Sequence, residues 1–292
     1  MNLKPWLLAA RPKTLPAAIA PVLIGTALAY RDGRAHGLAA LLAGVCALLL
    51  QIGANYANDY FDYRHGSDKA ERLGPTRAVA AGWIAPKQMR NGFIIVFVMA
   101  AVCGVYLLVR GGVPAVIIGA LSILCAVLYT GGPYPLGYHG LGELFVFIFF
   151  GLAAVAGTYY VQALTVTPTV LLAAVGPGLL STAILTVNNL RDIDDDRAAG
   201  KRTLPARWGA AFGRGEYLFC VIVAVLVIPM LLVLTGQVKP IALLAVAAFA
   251  EAIPPLRILR REPPSRKYNQ ALAQTGRLLL IYSLLLSIGI LV

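Results

Sequence analysis

Apolar runs of roughly 17–22 residues, each about the length that crosses the hydrocarbon core of a bilayer, recur through the whole chain. They fall at about 15–30, 38–58, 92–109, 113–130, 143–162, 168–190, 217–235, 239–256 and 276–292. The runs are continuous rather than alternating in polarity, which leaves the helix as the spanning form and excludes a membrane barrel. With 59% hydrophobic and 13% charged residues, the 292-residue chain lies outside the range of soluble domains. The expected fold is therefore all-α: a polytopic membrane protein of nine transmembrane helices. Two four-helix repeats, about 1–140 and 141–256, and a closing helix at about 276–292 make up one domain over 1–292.

A net charge of +12 would suit a nucleic-acid partner if it were spread over one face. It is instead sorted by side of the membrane. When the nine spans alternate, one side carries Lys4, Arg11, Lys13 and the loops at 59–91, 191–216 and 257–277. Of the 25 Lys and Arg, the other side keeps only Arg31, Arg34, Arg110 and Lys239. The positive-inside rule then places the N-terminus in the cytoplasm and the C-terminus outside. Lys4, Arg11 and Lys13 lead into a first span with Pro16 and Pro21, without the small-residue cleavage site of a secretory signal. Cys46, Cys103, Cys125 and Cys220 all fall in apolar spans without paired spacing, as packing thiols do.

The two longest hydrophilic loops open on similar patches, Asn58-Asp59-Tyr60-Phe61-Asp62 and Asn188-Asn189-Leu190-Arg191-Asp192. At one offset of 130 residues, Asn58 matches Asn188, Asp62 matches Asp192, Arg72 matches Arg202 and Arg77 matches Arg207. Both patches lie on the expected cytoplasmic side, so the repeat is parallel rather than inverted. Gln51, Asn55, Asp59 and Asp62 share one helix face at spacings of four, four and three, and Asn188, Asp192 and Asp196 share another. Carboxylates without partners are expensive in lipid, so such stripes normally face a wet cavity or a cation.

Hard oxygen donors on two facing helices suit Mg²⁺, which keeps several waters and shares substrate phosphate oxygens. Asp62, Asp192 and Asp196 are the principal candidate ligands, with Asn58 and Asn188 as neutral partners and Asp59 and Asp68 in support. The competing reading is that these are solvated loop acids, which is how Asp194 and Asp195 are taken. Arg72, Arg77, Lys201 and Arg202 follow the acids at matched distances. Guanidinium forks and an ammonium suit a diphosphate whose charge grows as its bond breaks. Topological charge against anionic headgroups is their alternative, and it is the preferred reading for Lys87, Arg90, Arg257, Arg260, Arg261, Arg266 and Lys267. Most tyrosines at span ends, Tyr134 and Tyr138 among them, are read as interface anchors. Tyr129 is singled out as a ring face able to shield a carbocation. His65 and His139 are read as loop residues, and His36 lies on the far side.

The motifs Asn58-Asp59-x-x-Asp62 and Asp192-x-x-x-Asp196 resemble the two aspartate-rich motifs of the UbiA-type intramembrane aromatic prenyltransferases. The longer forms are similar to those of the branch acting on 1,4-dihydroxy-2-naphthoate. They are Asn58 to Asp68, Asn188 to Thr203, the opening Trp6-x-x-Ala9-x-Arg11-Pro12-Lys13-Thr14, and Tyr129-Thr130-Gly131-Gly132-Pro133. The resemblance implies nine helices around a cavity, and Mg²⁺ between the aspartates and a polyprenyl diphosphate. It further implies an aromatic acceptor and a lateral opening to the lipid bilayer; the expected location is a bacterial inner membrane, with the site on the cytoplasmic side by the charge count. Gly66 stands where the general motif has a third acid, with Asp68 two residues on as its substitute. Pro133 stands where many relatives carry a lysine four residues after the tyrosine. The expected reaction joins the prenyl group to the naphthoate ring with loss of CO₂ and diphosphate, giving demethylmenaquinol. Asp59 or Asp68 is the candidate base. Alternatives are another acceptor (4-hydroxybenzoate, homogentisate or a porphyrin-type ring) and, from another class, an organic-anion transporter. A CDP-alcohol phosphotransferase would need its acids in one dense run, and here they are divided.

Overall fold

The computed structural model describes residues 3–66 and 73–292; the candidates Asp68 and Arg72 lie outside them. The regular elements among the described residues are all helices, with no strand among them. In chain order the helices are α1 (Lys4–Ala9), α2 (Pro16–Arg31), α3 (Gly37–Arg64), α4 (Pro86–Leu128), α5 (Gly142–Ala163), α6 (Pro168–Arg191), α7 (Ile193–Ala198), α8 (Leu204–Leu234), α9 (Pro240–Arg261) and α10 (Tyr268–Leu291). Seven are long and apolar enough to cross a membrane, and an eighth crossing is present if Lys4–Thr14 and Pro16–Arg31, bent by 51° at their junction, count as one span.

Helix α4 contains the seventeen-odd-residue runs read from sequence as two spans. At 43 residues it would be about 65 Å long if straight, twice a bilayer core. It is not straight. Gly112 leaves helical geometry at φ 59° and ψ −149°, with Pro114 just beyond it. A Cβ placed on Gly119 would stand 3.7 Å from the Leu108 side chain, so the chain doubles back between these positions. The positive φ at Gly112 is one an L-residue adopts only under strain.

The N-terminal hairpin lies against the ends of α3 and α4. Arg11, at φ 51°, turns the chain between α1 and the Pro12–Thr14 turn. The Asn55 amide donates to the Ala10 carbonyl at 2.9 Å and to Thr14 Oγ1 at 3.2 Å, and the Gln51 amide donates to Thr14 Oγ1 at 3.1 Å. Gln51 and Asn55, expected to line a wet stripe, therefore hold this hairpin, because an amide buried in apolar surroundings takes the nearest carbonyl or hydroxyl.

The main core runs through α2, α5, α6, α8, α9 and α10. Close helix contacts depend on glycine: a Cβ on Gly151 would come within 2.7 Å of the Gly178 backbone, and one on Gly289 within 2.5 Å of Ala242. Without a hydrophobic drive between helices in lipid, small residues let backbones approach closely enough for dispersion to act. The last helix begins at Tyr268, earlier than the expected 276. It packs against α2, α6 and α9, so the last helix meets the first span.

Candidate active site

Helices α3 and α6 deliver their last turns to one end of the bundle, where the loops after α4 and α7 meet them. Asp62 is 2% exposed. Its Oδ2 accepts from the Arg77 guanidinium, and its Oδ1 accepts from the Tyr138 hydroxyl at 2.8 Å and from Lys201 Nζ at 3.2 Å. Lys201 Nζ also sits 4.4 Å from the centre of the Tyr138 ring, a cation–π contact. Both halves of the chain thus converge on one carboxylate. Lys201 brings an ammonium to the 129–138 loop, where Pro133 removes the lysine expected from the general motif.

The loops are strapped together by backbone. The Arg202 N–H donates to the Tyr138 carbonyl at 2.7 Å, and the Lys201 N–H to the Asp196 carbonyl at 2.8 Å. Gly140, at φ 76°, makes this approach possible, since a Cβ there would meet the Arg202 carbonyl at 2.7 Å. The Arg202 side chain is exposed and does not join the cluster.

On the second motif, Arg191 is 2% exposed and organises the acids and amides around it. Its Nε and one terminal nitrogen bond the two oxygens of Asp192 at 2.7 and 2.6 Å. The same terminal nitrogen reaches Asn188 Oδ1 at 2.8 Å, while the other reaches Asn269 Oδ1 at 2.8 Å. The Asn269 amide in turn donates to the Leu73 carbonyl at 2.8 Å, so one chain of bonds runs from the second motif to the end of the first loop. Thr203 Oγ1 donates to Asp196 Oδ2 at 3.2 Å. Burial pushes the Asp196 carboxyl up to about 7; Lys201 and Thr203 oppose the rise, and the negative charges of Asp192 and Asp62 add to it. Asn58 accepts from Thr130 Oγ1 at 2.9 Å. The Tyr129 ring lies beside Gly142, where a Cβ would come 2.9 Å from its hydroxyl, within electrostatic reach of Glu143, Asp196 and Asp62.

Asp59 is placed differently from its expected role. It is 1% exposed, and its two oxygens accept the Ala78 and Val79 N–H groups at 2.9 and 3.0 Å. It caps the turn that presents Arg77, since a carboxylate on the same face one turn earlier points into the loop rather than the mouth.

Arg191, Tyr138, Asn269 and Glu143 were missed from the sequence. Arg191 left a signal, a cation inside the last turn of an otherwise uncharged helix. Glu143 left another, as the one acid between Glu71 and Asp192. Tyr138 and Asn269 left none. The donor set of Asp62, Asp192 and Asp196 is all hard oxygen, with no thiol or imidazole, and so suits Mg²⁺. Among the described residues, however, no three His, Cys, Asp or Glu side chains come together as a cage. Such a set fits an ion that retains waters and takes substrate oxygens.

Comparison with known proteins agrees with this architecture. The 1,4-dihydroxy-2-naphthoate octaprenyltransferase of Escherichia coli (strain K12) is 45% identical over 228 residues, covering 76% of this chain and 74% of that protein. The protein of the same name from Haemophilus influenzae is 37% identical over 299 residues, covering 100% and 97%. The solved structure of a UbiA homolog from Archaeoglobus fulgidus bound to GPP and Mg²⁺ superposes with a TM-score of 0.70, at 12% identity and over 98% and 99% of the two chains, a likeness of fold. Residues 18–284 match the family model described as the UbiA prenyltransferase family, and the chain belongs to that family.

Proposed function

We propose that this protein transfers a polyprenyl group from its diphosphate to 1,4-dihydroxy-2-naphthoate, with loss of CO₂ and diphosphate, giving demethylmenaquinol. The observation that carries the reading is the convergence of Arg77 and Lys201, one from each motif loop, on the buried Asp62 carboxylate. The names of the two relatives above supply the acceptor.

Asp62, Asp192 and Asp196, with Asn58 and Asn188 beside them, would hold Mg²⁺ against the diphosphate. The ion supplies Lewis-acid charge neutralisation when bound. Arg77 and Lys201 take up the charge that develops on the bridging oxygen as the allylic C–O bond breaks, the point at which fixed donors lower the barrier most. Arg191 keeps the two Asp192 oxygens in one plane and Asn188 turned toward them. Arg72 and Arg202 help to neutralise the departing diphosphate, and Tyr129 presents its ring to the allylic cation. The doubling-back of α4 at Gly112 supports nine crossings; the sorting of Lys and Arg supports a cytoplasmic N-terminus, an outer C-terminus and a site at the cytoplasmic end.

Asp62→Ala or Asp192→Ala should abolish Mg²⁺-dependent diphosphate release in membranes from cells given dihydroxynaphthoate and a polyprenyl diphosphate, with the protein still inserted. Turnover near wild type in either variant removes the site assignment.

A further inference from the structure

One turn deeper than Asp192 on α6, Asn189 faces a carboxylate that the diphosphate clamp does not use. Its amide donates to Glu143 Oε1 at 2.9 Å. Glu143 is 7% exposed, and its Oε2 is buried with no hydrogen-bond partner. A carboxylate so placed is expensive to keep unless something completes its bonding. Thr182 Oγ1 donates to the Glu143 backbone carbonyl at 3.4 Å, and Tyr129 stands beside the neighbouring Gly142. Glu216, on α8, lies within electrostatic range, and it too has a buried Oε2 without a partner. Cys220, one turn along α8, is also within electrostatic range.

We propose that Glu143, oriented by Asn189, is the catalytic residue that takes the phenolic proton of the aromatic acceptor during transfer. The inference rests on the prenyl-transfer reading above. Among the other described acids, Asp59 is held by two backbone N–H groups, Asp194 is exposed, Glu251 and Glu262 are paired with Arg277 and Lys267, and Glu216 takes the Thr186 hydroxyl. Asn189 adjoins Asn188 in the chain. Tyr129 links the two groups, since it lies within electrostatic reach of Glu143 as well as of Asp62 and Asp196.

The step balances as follows. The allylic C–O bond breaks with its electron pair going to the diphosphate. Ring electrons form the new C–C bond at the carbon bearing the carboxylate, as a ring hydroxyl gives its proton to Glu143 Oε2 and becomes a carbonyl. The ring-to-carboxylate bond then breaks and its pair returns to the ring, CO₂ leaves, and Glu143 returns the proton to the carbonyl oxygen. No oxidant is needed, and the proton count is unchanged.

The test is Glu143→Gln in the full-length detergent-solubilised protein with Mg²⁺, a polyprenyl diphosphate and 1,4-dihydroxy-2-naphthoate. The expected result is a fall in kcat of about a hundredfold, typical of a lost general base, with the KM for the diphosphate unchanged. Glu143→Asp, which restores a carboxylate, recovers part of the rate, and at saturating Mg²⁺ the acidic limb expected of the wild-type kcat profile is absent from Glu143→Gln. Turnover of Glu143→Gln within threefold of wild type overturns the proposal. So does an equal loss in Glu143→Asp and Glu143→Gln accompanied by a raised diphosphate KM or a lowered unfolding midpoint, which marks a structural carboxylate. Failure of the wild-type protein to release diphosphate with this acceptor removes the underlying reading instead.

Discussion

Arg191 shows how one side chain can make a pair of motifs into a site. Its guanidinium bonds Asp192, Asn188 and Asn269 at once, a geometry the planar fork permits and an ammonium does not. Arg191→Lys should therefore lower kcat/KM at limiting Mg²⁺ about 10–100-fold, the usual effect of losing a group that orients metal ligands, and titration of activity with Mg²⁺ would check it. Asp59→Ala should act on stability instead. Two buried N–H groups, those of Ala78 and Val79, would lose their acceptor, a loss of roughly 1–3 kcal/mol each, read as a lower unfolding midpoint in detergent. Asp196 ties the site to pH. Its carboxyl is protonated below about 7 in the free protein and must lose that proton to act as a ligand. Apparent Mg²⁺ affinity should then weaken as pH falls through 7. Thr203→Val, which removes a hydrogen bond favouring the charged form, should move the transition to higher pH. An apparent affinity flat from pH 6 to 8 would contradict this.

Among the helices, spacing along the chain was a good guide to faces and a poor guide to partners. The stripe Gln51, Asn55, Asp59, Asp62 does occupy one face of α3, yet it serves three purposes: the hairpin at 10–14, the turn at 78–79, and the site. Only contact with other elements separates them, because period alone carries no information on what stands opposite. Helix ends were legible to within a few residues where Pro or Gly interrupts the run, as at Pro168 and Gly142, and less so where polar residues continue a helix, as at Tyr268–Gly276. The break in α4 was readable from Gly111-Gly112-x-Pro114. Packing between helices makes a further prediction. Gly151→Val would drive side-chain atoms into the Gly178 backbone of α6, which has no rotamer with which to yield. The expected result is a lower unfolding midpoint by an amount equivalent to about 1–3 kcal/mol or more, with failure to assemble as the extreme.

For the molecule as a whole, membrane residence, helical class and the sorting of positive charge follow from composition and run length, since lipid leaves the backbone no other way to satisfy its polar groups. That sorting predicts that a periplasmic reporter fused after Val292 is active and a cytoplasmic one inactive; the reverse would invert the topology. The acid motifs were legible as well, because two patches in register are improbable in apolar sequence. What the chain order left open was which acids work and which merely hold loops. Asp62 and Asp59 share one face of α3 and both serve as candidates, and Glu143 and Tyr138 belong to no motif. Their roles depend on which loops cross the end of the bundle, and on whether each buried oxygen finds an N–H within about 3 Å, a distance set by packing among residues more than a hundred positions apart. Run length and charge are properties of the line of residues, whereas the completion of a buried hydrogen bond is a property of the assembled bundle.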